Sequence, residues 1–383
     1  MERPWAPARP GLSLLLTITA GLNLLPFAAL LAFSLQGGNG VLGIGNDGLT
    51  QLSNTVLLVL LVGLGVACLG TAIGWLTACC NFAGKRWLTL AQLLPLATPA
   101  YLHAAVLTDL GAREGVQIHG LSWSVAVLTL ANVPYVVLLA RDNFRLSGRR
   151  QLEASRSLGL GAWRSFFRVS LPLAIPAITA GVALAGMEVV NEYGAVELLA
   201  LPTLSTGLLE RWQGQDDPPG AVALALTALA VVAVLVAAEQ WQRRKSRRWD
   251  MGGPTDASEG WRLQGWRARG AQLLCALPPL ISVGLPLIWL LRSLDQLRQD
   301  SLAELLVLGS HSLVLAVVGA GLATAMALIL AIGKRWISPG PLRQAMFTAS
   351  LGYAVPGTVL AIALLLLLAP LGFPPLLLLI FGY

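Results

Sequence analysis

The sequence contains few charged residues for its length. Only 12% of its 383 residues are Asp, Glu, Lys or Arg, and 56% are hydrophobic, whereas soluble domains typically contain about 25% charged residues. A soluble fold of this size would lack the polar side chains needed to cover its exterior. The composition therefore argues against an ordinary soluble protein and indicates that a lipid bilayer is the solvent.

Residues that carry chemistry are also scarce. The four cysteines lie in or beside apolar runs and form no CxxC pair, so neither a disulfide framework nor a zinc site is indicated. The three histidines do not cluster in the sequence. No GxxxxGK[ST] loop occurs, so the chain is not expected to bind ATP through such a loop. We therefore predict no metal, no cofactor and no enzymatic activity.

Long apolar runs are abundant by contrast. A membrane-spanning helix needs about 20 mostly apolar residues, and several segments reach that length: 12–35, 53–78, 88–108, 121–140, 172–191, 220–239, 270–291, 311–333 and 345–369. A further run begins near Phe373. Because open sheet cannot satisfy its backbone in lipid, we predict an all-α fold, a polytopic transmembrane helical bundle without strands.

The positive charges predict an orientation. With the N-terminus in the cytoplasm, the cytoplasmic segments contain every Lys and Arg except Arg113, Arg211, Arg292 and Arg298. This distribution follows the positive-inside rule. The basic balance of the chain is thus explained by membrane orientation and contact with lipid, and no nucleic-acid partner is expected.

Residues 240–269 lose the apolar character and contain a basic cluster followed by Gly, Pro, Ser and acids. We interpret them as a cytoplasmic linker between two membrane units. The flanking sequences resemble each other: Ser53 and Ser310 are separated by the same interval as Pro99 and Pro356. This shared interval predicts two tandem homologous halves.

The predicted first half, residues 1–239, contains six transmembrane helices. The second half, residues 270–383, contains three helices and the start of a fourth. We expect this second half to be truncated and the chain to be part of a longer protein.

One polar stretch stands out, "QLEASRSLGLGAWRSFFRVSLP" at residues 151–172. It resembles the EAA loop of the membrane subunits of ABC importers, whose pattern is Glu-Ala-Ala, three residues, Gly, nine residues and Ile-x-Leu-Pro. The positions that carry the resemblance are Glu153, Ala154, Ser155, Gly159, Val169, Leu171 and Pro172. Ser155 replaces Ala and Val169 replaces Ile.

The resemblance implies a type I ABC importer permease fold in a bacterial inner membrane. It also implies two partners, a periplasmic substrate-binding protein and an ATP-binding subunit, expected as a homodimer, that docks on the loop. Leu158, Trp163, Phe166 and Phe167 are candidate apolar anchors for that docking. The alternative is a cytoplasmic amphipathic helix that lies on lipid headgroups.

Fused, duplicated permeases resemble the iron(III) and thiamine branch of this family. After the fifth apolar run, the segment that begins "NEYGAVELL" resembles a stretch of ferric-iron permeases. Glu188 and Glu192 lie one helical turn apart, and with Tyr193 they are candidate pathway residues, since hard oxygen ligands suit a trivalent ion. The alternative is that they are wetted, unspecific acids at the outer interface.

Ferric iron is therefore the predicted cargo, with thiamine or another small cation as the alternative. An ion-gradient secondary transporter is a second alternative, but the centres of the predicted spans contain almost no acids or bases.

Overall fold

The computed structural model describes residues 10–36, 44–145, 155, 157–246, 261–294, 302–336 and 355–368. The described chain is almost entirely helical, as predicted. The longer helices are α1 (Pro10–Gln36), α2 (Gly45–Cys79), α5 (Ala100–Arg113), α6 (Leu121–Asn143), α8 (Leu171–Asn191), α11 (Pro218–Ser246), α12 (Gly265–Arg292), α13 (Leu302–Trp336) and α14 (Gly357–Leu368). The short ones are α3 (Lys85–Ala91), α4 (Leu94–Ala97), α7 (Ala162–Ser165), α9 (Gly194–Leu198) and α10 (Leu204–Leu209), with π-helical turns at Phe166–Ser170 and Glu210–Gly214.

Six helices in the described ranges are long and apolar enough to cross a membrane, and two bent helix pairs raise that number to eight. The six are Gly45–Cys79, Leu121–Asn143, Phe166–Asn191, Pro218–Gln242, Gly265–Arg292 and Leu306–Ala331. These match predicted spans within a few residues at most ends. The predicted span 345–369 lies only partly within the described residues.

The predicted third span, 88–108, is not one straight helix. It consists of Lys85–Ala97 and Ala100–Arg113, which meet at an angle of 83°. The cause is Pro99, which has no N–H to continue the helix and adopts an extended ψ of 143°. Thr98, the residue before it, is extended as well, with φ −106° and ψ 111°. The break therefore follows from local backbone chemistry.

Close packing joins α2, α6 and α8 around Val136. A Cβ added at Gly70 of α2 would lie 2.6 Å from the Val136 Cβ, and one added at Gly181 of α8 would lie 2.8 Å from the Val136 Cα. Small residues at such positions let helix backbones approach closely in a membrane.

One short backbone pairing accompanies the helices. The two-residue strands β1 (Cys80–Asn81) and β2 (Trp261–Arg262) pair in parallel, with Cys80 opposite Trp261. The Leu263 N–H also donates to the Asn81 carbonyl over 2.9 Å. β2 falls inside the predicted linker, into which α11 and α12 also extend. The backbone just after α2 thus satisfies hydrogen bonds by pairing with the segment just before α12.

The chain forms two compact units. One consists of Met1–Gly45, Gly207–Leu229 and Leu294–Tyr383, and in it α1 packs against α13 and α14. The other consists of Asn46–Thr206 and Ala230–Ser293, and in it α12 packs against α3, α4 and α5. The first helix of each predicted half thus packs with helices of the other half.

Polar contacts run along the packing of α12 on α3–α5. The Gln92 Nε2 donates to the Cys275 carbonyl over 2.5 Å, and the Trp289 Nε1 donates to the Asp109 carboxylate over 2.8 Å. Between them, the fully buried His103 lies beside the Ser282 backbone, although its ring nitrogens have no partner with hydrogen-bond geometry in the described chain. We call this line of contacts the α12 seam.

Candidate functional site

The loop predicted to couple to an ATPase lies between α6 and α8. Glu153 and Ala154 lie outside the described residues. Ser155 is buried, and its carbonyl accepts a hydrogen bond from the Leu160 N–H over 3.1 Å. Gly159 has φ +88°, a left-handed conformation that favours glycine and reverses the chain there. The glycine of the motif thus occupies a position where the backbone requires it.

The second part of the loop continues directly into the membrane helix. α7, the π-helical turn and α8 follow one another without a break, so the second loop helix is an extension of the fifth span. In the π-turn the Leu171 N–H donates to the Phe166 carbonyl, five residues back. Val169 and Leu171 are half-buried, and Pro172 is exposed in the first turn of α8, where a missing N–H is tolerated.

The apolar side chains of the loop point in two directions. Leu158 is 84% exposed and Phe167 is 57% exposed. Phe166 instead packs against Trp75 of α2 and Phe144, with ring centroids 5.4 and 6.3 Å apart. Phe166 is half-buried against these rings, so it also fixes the loop to the ends of two neighbouring helices, and its role as a docking anchor stays a prediction.

The candidate pathway acids lie at the end of α8. Glu188 is half-buried in the last turns of the helix, and Tyr193 is 36% exposed just beyond it. The Glu192 Oε1 accepts a hydrogen bond from the Ala195 N–H over 2.8 Å. Burial raises the pKa of the Glu192 carboxyl, the Ala195 N–H acts in the opposite direction, and the negative charge of Glu188 adds to the increase. Glu192 therefore also has a structural role, since it satisfies a backbone donor at the start of α9.

Hydroxyl groups fix the segment that follows α9. The Ser205 Oγ donates to the Glu192 carbonyl over 2.7 Å, and the Leu204 N–H donates to the Thr55 Oγ1 of α2 over 2.9 Å. Within the segment, the Thr203 N–H donates to the Thr206 Oγ1 over 2.8 Å. These bonds tie the segment to α2 and to the end of α8 in one cluster.

Tyr101, which the sequence did not single out, also lies at this end of α8. A Cβ added at Gly194 would lie 2.9 Å from the Tyr101 Cβ. Tyr101 follows the break at Pro99, so the bend of the third span places it beside the turn after α8. Pro99 was a signal in the sequence for the bend. The sequence contained no signal that Tyr101 would lie beside Gly194.

The candidate acids do not form a preformed metal site. Among the described residues no group of three or more His, Cys, Asp or Glu side chains is arranged to hold a metal ion.

Comparison with known proteins identifies the fold around these residues. Residues 70–250 match the family described as "Binding-protein-dependent transport system inner membrane component". The match covers just under half of the chain, so the chain is similar to this family over that region. The matched region contains both the coupling loop and the candidate pathway acids, and it is the type I ABC importer permease fold that the loop resemblance implied.

Relatives differ in what their names say they transport. The chain is 28% identical over 202 residues to the Fe(3+)-transport system permease protein FbpB 2 of Haemophilus influenzae. The aligned region covers 52% of this chain and 39% of that protein. It is 28% identical over 199 residues to the molybdenum transport system permease protein ModB of Escherichia coli K12, covering 46% and 86%. It is also 28% identical over 251 residues to the sulfate transport system permease protein CysT of Synechocystis, covering 57% and 85%.

The names of these relatives are those of permease subunits of transport systems. The family match and the apolar helices support a multi-pass inner-membrane protein. The chain spans 39% of the length of the iron permease. Because iron, molybdenum and sulfate permeases are similarly related to it, similarity alone does not select the cargo.

Proposed function

We propose that this permease forms the membrane pathway of an ATP-driven importer, with its N-terminus in the cytoplasm. An ATP-binding subunit, as a homodimer, docks on residues 151–172, and a periplasmic binding protein delivers the cargo from the other side. The main support is the coupling loop, which exposes Leu158 and Phe167 while Phe166 fixes it to the ends of two helices. Exposed apolar side chains on a firmly anchored loop suit docking in a groove of another protein.

A lipid surface is the other candidate occupant of the exposed loop. An interfacial helix would insert Leu158 and Phe167 among lipid headgroups and would need no protein partner. The two possibilities differ in whether the loop is protected when the ATP-binding subunit is present.

Co-purification tests the docking. Leu158→Asp places a charge where an apolar groove would have to close, so we expect loss of the ATP-binding subunit from the purified permease. Val116→Asp is the matched control, because Val116 is 53% exposed in the loop between α5 and α6. Retention of the subunit by Leu158→Asp at wild-type level would contradict the docking proposal.

The proposed cargo is ferric iron. Glu188 and Glu192 place two carboxylates one turn apart at the end of α8, and hard oxygen donors suit a hard trivalent ion. The similarity to FbpB 2 agrees with this choice. An oxyanion is the second candidate, favoured by the similarity to ModB and CysT and by the hydroxyl-rich residues 203–206. The hydroxyls already bond to one another and to the backbone, which supports the cation more than the anion.

Uptake measurements separate these cargoes. Cells that lack the gene are restored with the full reading frame and supplied with radiolabelled Fe(III), molybdate, sulfate or thiamine. We expect only Fe(III) uptake to return, and Glu153→Lys to abolish it while the protein stays in the membrane. Restored molybdate or sulfate uptake would replace iron by an oxyanion.

A further inference from the structure

The linker before α12 contacts the coupling loop's anchor. The Trp261 ring packs against Trp75 at a tilt of 53°, with centroids 5.7 Å apart, and Trp75 in turn contacts Phe166 of the loop edge-to-face. Trp75, Phe166 and Trp261 therefore form a continuous chain of aromatic contacts, from the coupling loop through α2 to the linker. We call these three residues the aromatic brace.

The backbone at Trp261 is fixed as well. Trp261 and Arg262 pair with Cys80 and Asn81 at the end of α2, and the Gln272 Nε2 of α12 donates to the Ala83 carbonyl over 3.0 Å. The segment that leads into α12 is thus held to α2 by main-chain bonds and to the loop anchor by a ring contact. A displacement of the loop must either move this segment or break these ring contacts.

We propose that Trp261 is a positioning residue that makes the coupling loop and the start of α12 move as one body when the ATP-binding subunit closes. This inference rests on the proposed function, because it assumes that the subunit docks on the loop. Two packed elements transmit a displacement only if their contact is stiff, and a half-buried aromatic contact reinforced by backbone pairing between the segments meets that condition.

The brace spans elements that the sequence places far apart. Trp75 ends the second span, Phe166 precedes the fifth, and Trp261 precedes the first helix of the predicted second half. One contact thus links the coupling loop of one predicted half to the entry of the other. A purely local packing role would not require the contact to lie at this junction.

Distance measurements between spin labels test the brace in the full chain with its ATP-binding subunit. One label replaces Arg164, which is exposed on the loop, and the other replaces Leu273, which is 71% exposed on α12. In the otherwise wild-type chain we expect a narrow distance distribution that stays the same when ATP and vanadate are added. Trp261→Ala should broaden the distribution at least twofold and make it change on ATP addition.

Two further variants keep the test specific. Trp261→Phe retains a ring in the aromatic brace and should restore the narrow distribution. Trp266→Ala is the matched control because that side chain is 79% exposed. A Trp261→Ala distribution indistinguishable from those of the wild type and Trp266→Ala, with or without ATP, would overturn the brace.

A failure of the proposed function would give results different from those of a failure of the brace. If the ATP-binding subunit does not bind the wild-type chain, the docking proposal fails. The brace is then tested by comparing the spin-label distance distributions of the wild type and Trp261→Ala without nucleotide. If Trp261→Ala still binds the subunit but its ATP hydrolysis is no longer stimulated by the permease, the positioning role is supported. A variant that is merely misfolded would instead lose the subunit and the purified protein together.

Discussion

Pro279 in α12 creates one acceptor of the α12 seam. An α-helix bonds each N–H to the carbonyl four residues earlier, and proline has no N–H. Pro279 therefore leaves the Cys275 carbonyl without its helical donor. That carbonyl accepts the Gln92 Nε2 instead, and both residues are fully buried. We predict that Gln92 and Pro279 are energetically coupled.

The size of the coupling follows from the cost of an orphaned carbonyl. Gln92→Leu removes the donor and leaves a buried acceptor unsatisfied, which costs about 1–3 kcal/mol. Measured side-chain hydrogen bonds between membrane helices are weaker, about 0.6 kcal/mol on average. We therefore expect Gln92→Leu alone to destabilise by about 1–2 kcal/mol. Pro279→Ala restores an N–H to the Cys275 carbonyl, so Gln92→Leu should cost about 1 kcal/mol less in that background.

A double-mutant cycle measures this coupling. The four variants are unfolded reversibly in detergent micelles, and the free energy of unfolding is compared. Gln272→Leu, alone and with Pro279→Ala, is the matched control, because the Gln272 amide donates to the Ala83 carbonyl and not to α12 itself. Equal costs of Gln92→Leu in the two backgrounds would refute the orphan-carbonyl argument.

Two other predictions concern the pathway and the helix packing. Glu192→Gln keeps an oxygen for the Ala195 N–H but removes the charge, so it should abolish Fe(III) uptake at unchanged stability, whereas Glu192→Ala should also destabilise by about 1 kcal/mol. Because burial raises the Glu192 pKa, the carboxylate takes up a proton at higher pH than an ordinary one, and wild-type uptake should decline as the medium is acidified through that range. Gly181→Ala places a Cβ 2.8 Å from the Val136 Cα and should destabilise by about 1–3 kcal/mol, while Gly284→Ala, with open space, should be near neutral. Fe(III) uptake at several pH values and unfolding of the variants in detergent measure these effects. Normal Fe(III) uptake by Glu192→Gln would contradict the pathway role of Glu192 and leave it only its capping role.

The apolar runs predicted the helices well because each span must satisfy its own backbone in lipid, so hydropathy alone locates it. The predicted ends of these helices were less accurate. α2 begins at Gly45 and α11 continues to Ser246, beyond the apolar runs that predicted them. Polar helical turns outside the bilayer carry no hydropathy signal, and their extent depends on tertiary contacts.

The candidate site was predictable only where it depends on local sequence. Gly159 adopts the left-handed conformation its position in the motif suggests, because a glycine at a chain reversal is a local requirement. The ring contacts of Phe166 could not be predicted, since its partners Trp75 and Phe144 are distant in sequence. A single sequence shows that a residue is aromatic, not which rings surround it.

The α12 seam shows how prolines can promote helix association in lipid. Lipid tails are as apolar as the helix surfaces, so burial of apolar area does not drive helices together there. Pro279 and Pro286 are seven residues apart, and the carbonyls they release, at Cys275 and Ser282, therefore lie on nearly the same face of α12. Gln92 and His103 face those positions from the elements on either side of the 83° bend. The helix irregularities thus create polar acceptors on one face, and the bent partner presents polar side chains to them.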